Sequence, residues 1–143
     1  MITKIVALAV AGFVGGWLGF SVSDRDVPVL IHSMSAAPAA ASPGETVRMQ
    51  YEATRVRSCA THVERLLFAA DGQRFVLPDL EFASGTLPIG LDRFAVPTAV
   101  PLGTPFGRAT YRTINCYACN PSHRIWPICD NPRDIPFTVK PPD

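Results

Sequence analysis

Charge is scarce in this 143-residue chain: Asp, Glu, Lys and Arg make up only 17% of it, against a norm of about 25%. That excludes a disordered polar tail and a coiled coil, both of which depend on charge. A basic excess is missing too. Thirteen Lys and Arg face 12 Asp and Glu, so the footprint of a nucleic-acid binder is absent and none is expected as partner. Proline is absent from residues 1–27, although the whole chain holds 14. After residue 27 no run keeps helical apolar spacing. Gly-x-Ser-x-Gly, a phosphate-cradling glycine loop and His-Glu-x-x-His are all missing. Neither an enzyme nor a cofactor is expected. Asp71, Asp79, Asp92, Asp130 and Asp134 read as turn-capping carboxylates. His32 and His62 are isolated, and Ser58 and Ser122 have no evident base.

What is present divides the chain into residues 1–26 and 27–143. Ile5 to Val22 is a run without charge that as a helix spans about 27 Å, enough for a hydrocarbon core. Lys4 precedes it, and Asp24, Arg25 and Asp26 follow. The positive-inside rule puts the N-terminus in the cytoplasm and the rest outside. The expectation is a single-pass inner-membrane protein with a periplasmic or otherwise extracytoplasmic C-terminal domain. Gly19-Phe20-Ser21 and Ser21-Val22-Ser23 have the small-x-small shape that signal peptidase reads, which leaves a secreted, cleaved effector or inhibitor as an alternative. The apolar run is long for a signal peptide, so a retained signal-anchor is preferred. Gly12, Gly15, Gly16 and Gly19 form two Gly-x-x-x-Gly pairs that would suit a homodimer seam. Trp17 and Phe20 sit toward the outer end, where an aromatic belt lies.

Residues 27–143 alternate in short stretches broken by Pro and Gly. Val27 to Met34 reads as a strand with Pro28 near its start, Ala36 to Ala41 as a connector, and Ser42-Pro43-Gly44 as a turn. From Thr46 to Arg57, Val47, Met49, Tyr51 and Ala53 share one face, and Arg48, Gln50, Glu52 and Thr54 the other. Val63 to Ala69 is a second strand. Asp71-Gly72 then marks a tight hairpin turn, with Gln73 to Leu77 as the partner strand. Leu80–Ala83, Arg93–Val96, Ala109–Cys116 and Ile135–Lys140 complete seven to nine strands. The expectation is an all-β fold, a two-sheet antiparallel β-sandwich of immunoglobulin-like size behind one N-terminal transmembrane helix. A small barrel is the alternative.

Gly107-Arg-Ala-Thr-Tyr111-Arg-Thr113 resembles the start of strand F in immunoglobulin-like domains, where a corner Tyr bonds back to the chain and the residue two positions on points into the core. Ser42-Pro-Gly-Glu-Thr-Val47 resembles the turn and strand B opening of bacterial and phage surface domains. Tyr51 and Thr113 stand where antibody domains carry their core cysteines, and the strand after B has no Trp. The resemblance therefore implies a sandwich of this type outside the antibody branch, with adhesion, assembly or display as its general role.

Cys59, Cys116, Cys119 and Cys129 are an even set in a segment read as exported, where oxidation is the default. In the implied sandwich, Cys59 and Cys116 reach the same pole. An F–G hairpin with Tyr111 near Phe137 sets Cys119 opposite Cys129. The expected pairs are Cys59–Cys116 and Cys119–Cys129, with Cys59–Cys119 and Cys116–Cys129 as the next alternative. Cys116-x2-Cys119-x3-His123-x5-Cys129 also holds the ligand types of a zinc knuckle, with its His displaced by one residue and its glycines missing. Cys116-Tyr-Ala-Cys119 is a C-x-x-C without the helix N-terminus that redox pairs use.

Residues 120–132, NPSHRIWPICDNP, are the most function-like stretch. They offer His123, Arg124, Ile125 and Trp126 on a cross-linked loop, and Trp and Arg are favoured at binding hot spots. Arg55, Arg57 and Arg112 are expected to extend a basic surface beside it. The bland alternative is that Ile125 and Trp126 fold back as a satellite core. The reading is a non-catalytic, membrane-tethered binding or assembly module whose partner is a protein or an envelope glycan.

Overall fold

The computed structural model describes residues 2–142. One apolar helix, α1 (Ile2–Ser23), precedes a mostly β domain. The described side chains of the helix face outward almost throughout, as expected of a segment with no polar face to pack against protein. A Cβ placed on Gly12, Gly15, Gly16 or Gly19 would meet nothing within 4 Å, so these faces of the helix are open.

Nine strands follow: β1 (Val29–Ala37), β2 (Ala40–Ala41), β3 (Thr46–Arg55), β4 (Ala60–Phe68), β5 (Arg74–Phe82), β6 (Gly90–Ala99), β7 (Gly107–Ala118), β8 (Ile128–Cys129) and β9 (Arg133–Val139). They form two sheets. One has the order β1-β3-β6, the other β2-β9-β7-β4-β5, with β8 paired to the end of β7. A fully antiparallel arrangement was expected, but β2 runs parallel to β9. The Ala36–Ala41 connector is thus partly strand. Ala36 and Ala37 end β1, and a cis Ala37-Pro38 bond precedes β2. Leu80–Ala83, expected as a strand of its own, is mostly the continuation of β5 through Pro78.

The alternation in β3 is the clearest link from sequence to packing. Val47, Met49, Tyr51 and Ala53 are buried between the sheets, where they meet Leu67, Tyr111, Ile135 and Phe137 or the smaller cluster around Tyr117. Each large apolar side chain fully buried there contributes about 1.5–3 kcal/mol. The β4–β5 hairpin turns through Ala70, Asp71 and Gly72. The Gly72 N–H donates to Ala69 O, the Ala69 N–H to Gln73 O, and the Gln73 N–H to the Asp71 carboxylate. It is a three-residue loop with Gly72 at φ 86°, one residue longer than the tight turn expected, and Gly carries the left-handed position. Gly107, which opens β7, has φ 124°, and a Cβ there would lie 3.0 Å from that of Ala70.

Register decides the disulfides. With Tyr111 near Phe137, Cys119 would oppose Cys129. Instead Tyr111 pairs with Ile135, and Ala109 with Phe137. This two-residue slip keeps every side chain of β9 on its face and alone would set Cys116 opposite Asp130; one further residue of offset between β8 and β9 carries Cys116 opposite Cys129. The Asp130 N–H donates to Asn115 O, so 115/130 are the hydrogen-bonded neighbours and 116/129 the close, unbonded pair. Their Cα atoms are 4.0 Å apart. In the β4–β7 ladder Ala60 opposes Ala118, so one step further Cys59 meets Cys119. The bridges are therefore Cys59–Cys119 and Cys116–Cys129, correcting the expected Cys59–Cys116 and Cys119–Cys129. They lie on opposite faces of the sheet. Cys59–Cys119 packs inward against Tyr117 and Ile128, and Cys129 is exposed.

Candidate functional site

The disulfide pole is where the helix joins the β domain, and the loop after β7 makes the joint. Asn120 begins it. Its side chain accepts from the Ser122 and His123 backbone N–H groups and caps a 3-10 turn, Pro121–Arg124, with Pro where no N–H is needed. The same Asn120 donates through Nδ2 to Ser21 O in the last turn of α1 at 3.1 Å, and Ser122 Oγ donates to that carbonyl at 3.0 Å. His123 is buried, 1% exposed. Its Nδ1 accepts from the Cys119 N–H at 3.2 Å, and its Nε2 therefore carries the proton it donates to Asp24 O at 2.8 Å.

Arginines close the joint. Arg25 donates to Trp126 O at 2.7 Å and Pro127 O at 2.9 Å, and its guanidinium lies over the Trp126 ring at 4.2 Å. Arg57 holds both carboxylate oxygens of Asp24 at 2.9 and 2.7 Å and also donates to Asp26 O. Ser21, the last turn's small residue, is left 3% exposed. The tip beyond these contacts points out: Ile125 is 92% and Trp126 60% exposed. Arg124 is exposed as well.

The sequence-predicted residues thus separate. Arg124 and Trp126 stand at the surface with Ile125, so the satellite-core alternative for the tip is not what the fold contains. His123 is inside, as a hinge pin between α1 and the loop. Arg112 lies four residues before Cys116 on β7, about 13 Å up the strand. It forms a two-point pair with Asp134 at 2.7 Å and sits over Phe68. The hydrogen bond from Arg112 holds the Asp134 carboxyl below its usual range. The expected basic surface of Arg55, Arg57 and Arg112 does not form. Arg55 is buried, donates to Pro88 O at 2.9 Å and faces Asp92 at 3.8 Å. Arg57 is spent on Asp24. Alternation carries Arg55 onto the same face as Val47 and Ala53, a signal the sequence already contained. Arg25, Asp24 and Asn120 had no such signal, because their partners lie up to 102 residues away.

The zinc alternative loses its ligands. Cys116, Cys119 and Cys129 are all oxidised, and a disulfide sulfur is no thiolate. Among the described residues no group of three or more His, Cys, Asp or Glu converges as a metal site.

Away from the joint, a concavity of about 280 Å³ opens between the sheets on the side of β5 and β6, with Val63, Leu80, Phe94, Tyr111 and Tyr117 among its walls. Its floor is polar. The Tyr51 hydroxyl meets Thr113 and Tyr111, and the Tyr111 hydroxyl faces Arg65, Thr98 and Tyr51. Tyr111 is therefore a mid-strand core residue and not the corner Tyr expected. Burial raises all three tyrosine hydroxyls, Tyr117 to about 12. Arg65 Nε donates to Pro78 O at 2.6 Å, where the β4–β5 register shifts.

Comparison with known proteins adds little. No family model matches, and no curated protein matches. Among solved structures the chain is similar to Pseudomonas fluorescens alkylpurine DNA glycosylase AlkC bound to DNA containing an abasic site analog. The identity is 12% and the TM-score 0.47, over 80% of this chain and 31% of that one. The chain thus corresponds to about a third of that protein's length, and a likeness this distant carries no argument about function.

Proposed function

We propose that this chain is a membrane-tethered, extracytoplasmic binding or assembly module with no catalytic role, built as an immunoglobulin-like sandwich. The observation that carries the reading is the joint itself. An apolar, outward-facing helix is locked by hydrogen bonds into the cross-linked pole of a disulfide-bonded β domain. Disulfides favour an oxidising compartment, and Lys4–Ser23 is long and apolar enough to cross a bilayer. The strand order β1-β3-β6 facing β2-β9-β7-β4-β5 supports the immunoglobulin-like assignment. So does the meeting of Tyr51 and Thr113, where antibody domains place their inter-sheet bridge.

The contact surface in this reading is the tip of the loop 120–132, with Arg124, Ile125 and Trp126. Retention of the anchor is favoured over release as a soluble effector because Ser21 and Asp24 are structural partners of the loop, not a loose leader. Membrane fractionation with intact-mass measurement tests it. The expected result is a full-length chain that resists alkaline extraction. A soluble chain beginning at Val22 or Asp24 overturns the anchor. For the tip, Arg124→Ala is expected to abolish partner retention at unchanged unfolding midpoint, and Trp126→Ala to do so at a cost of no more than about 1 kcal/mol from the lost Arg25 contact; a larger loss instead assigns them to packing.

A further inference from the structure

We infer that the partner of the loop tip is the outer leaflet of the membrane that holds the chain's own helix, with Trp126 and Ile125 seated at the headgroup boundary. The inference rests on the retained-anchor reading above.

Position is the first argument. Lys4–Ser23, at 20 residues, spans about 30 Å as a helix, the thickness of a hydrocarbon core. Its last turn therefore lies where hydrocarbon gives way to headgroups. Asn120 and Ser122 grip the Ser21 carbonyl in that turn, and Arg25 grips Trp126 O and Pro127 O just beyond it. The tip cannot sit far above the interface without breaking these bonds.

Composition is the second. Trp is the side chain most suited to a membrane boundary, apolar over its ring and polar at Nε1. Ile125 beside it is nearly fully exposed, a cost in water and a gain in acyl chain. Charge is the third. Of the two acidic residues just after the helix, Arg57 neutralises the Asp24 carboxylate; it binds only the backbone of Asp26, whose exposed carboxylate is outnumbered by two arginines. Arg25 and Arg124 remain as cations at the headgroup level, and Arg124 has no hydrogen-bond or ion-pair partner among the described residues. Guanidinium groups at this depth match lipid phosphates.

The chain's two tryptophans make the test direct, because Trp17 reports the helix and Trp126 the tip. The full chain is reconstituted in vesicles of phosphatidylcholine with a minority of phosphatidylglycerol, as the Trp17→Phe and Trp126→Phe variants. Quenching is read with lipids brominated high on the acyl chain and with aqueous iodide. In Trp17→Phe, Trp126 emission is expected to shift blue, to be lost to shallow bromolipid and to resist iodide. Ile125→Asp in that background, a change at an exposed position, is expected to restore iodide quenching. If Trp126 is quenched by iodide and not by bromolipid while Trp17 is quenched by bromolipid, the anchor stands and the tip faces water for a protein partner, which overturns the inference. If neither tryptophan senses bromolipid, the anchor and the inference fall together.

Discussion

The two bridges close loops of very different size, and that difference is measurable. Cys59 and Cys119 are 60 residues apart, Cys116 and Cys129 only 13. In the chain-entropy model the first constrains the unfolded chain by about 4 kcal/mol and the second by about 3 kcal/mol. The inner bridge also packs in the cluster of Val29, Ala53, Tyr117 and Ile128, so its removal adds a void to the entropy loss. The outer bridge has an exposed sulfur partner and leaves almost none. The assay is urea unfolding of the full chain in detergent, comparing Cys59→Ala/Cys119→Ala with Cys116→Ala/Cys129→Ala. The inner pair is expected to cost more by about 1 kcal/mol from loop length alone, and by more once the void is counted. An outer-pair variant that loses as much stability as the inner one, or more, refutes the reasoning. Connectivity is checked separately by cleaving after Arg112, Tyr117 and Arg124, which separates all four cysteines. A peptide joining Cys59 to Cys116 would refute the register argument.

Other outcomes follow from single contacts. Gly107→Ala is expected to cost about 1–3 kcal/mol from positive φ, and more than Gly72→Ala, whose Cβ would enter open space; equal losses in denaturant midpoint would remove the Ala70 contact from the account. Because burial raises the tyrosine hydroxyls, the folded state favours their neutral form. Stability from this source is complete below the unfolded value of about 10 and falls as pH rises toward the folded value, about 12 for Tyr117. Tyrosinate absorbance should therefore appear only as the fold is lost, and gradual titration near pH 10 in folded protein would contradict the burial of all three. Arg57→Ala frees Asp24, at a cost of about 1 kcal/mol for a part-exposed pair, and should speed tryptic cleavage after Arg25. Equal cleavage of the parent chain would show that the joint is not closed.

Much of the fold was legible because two periods are strong. The uncharged, proline-free run and the alternation of Val47, Met49, Tyr51 and Ala53 each name one structure and one buried or apolar face. Asp71-Gly72 named the hairpin. Pairing was less legible, since a two-residue slip between β7 and β9 leaves every face unchanged and so writes nothing into the pattern. Together with a one-residue offset between β8 and β9, it moves Cys129 from Cys119 to Cys116. The candidate site was half legible. Composition marked Arg124 and Trp126, and both are exposed. His123 and Arg57 were drawn inward by Asp24, whose proximity depends on the helix meeting the loop almost one hundred residues later. Short elements such as β2 and β8 carry too few residues to show any period.

The placement of the inner bridge also sets how the domain bears load. The helix enters at one pole and β9 ends at the other, where the Lys140 N–H bonds to Ala41 O. Tension between the bilayer and the far end would pass from Cys59 straight to Cys119. Residues 60–115, including β4, β5 and β6, are shunted out of the covalent path. Stretched under oxidising conditions, the domain can yield only a fraction of its contour length, and under a reductant the full length. A pulling experiment would register that difference as a longer extension on the same molecule.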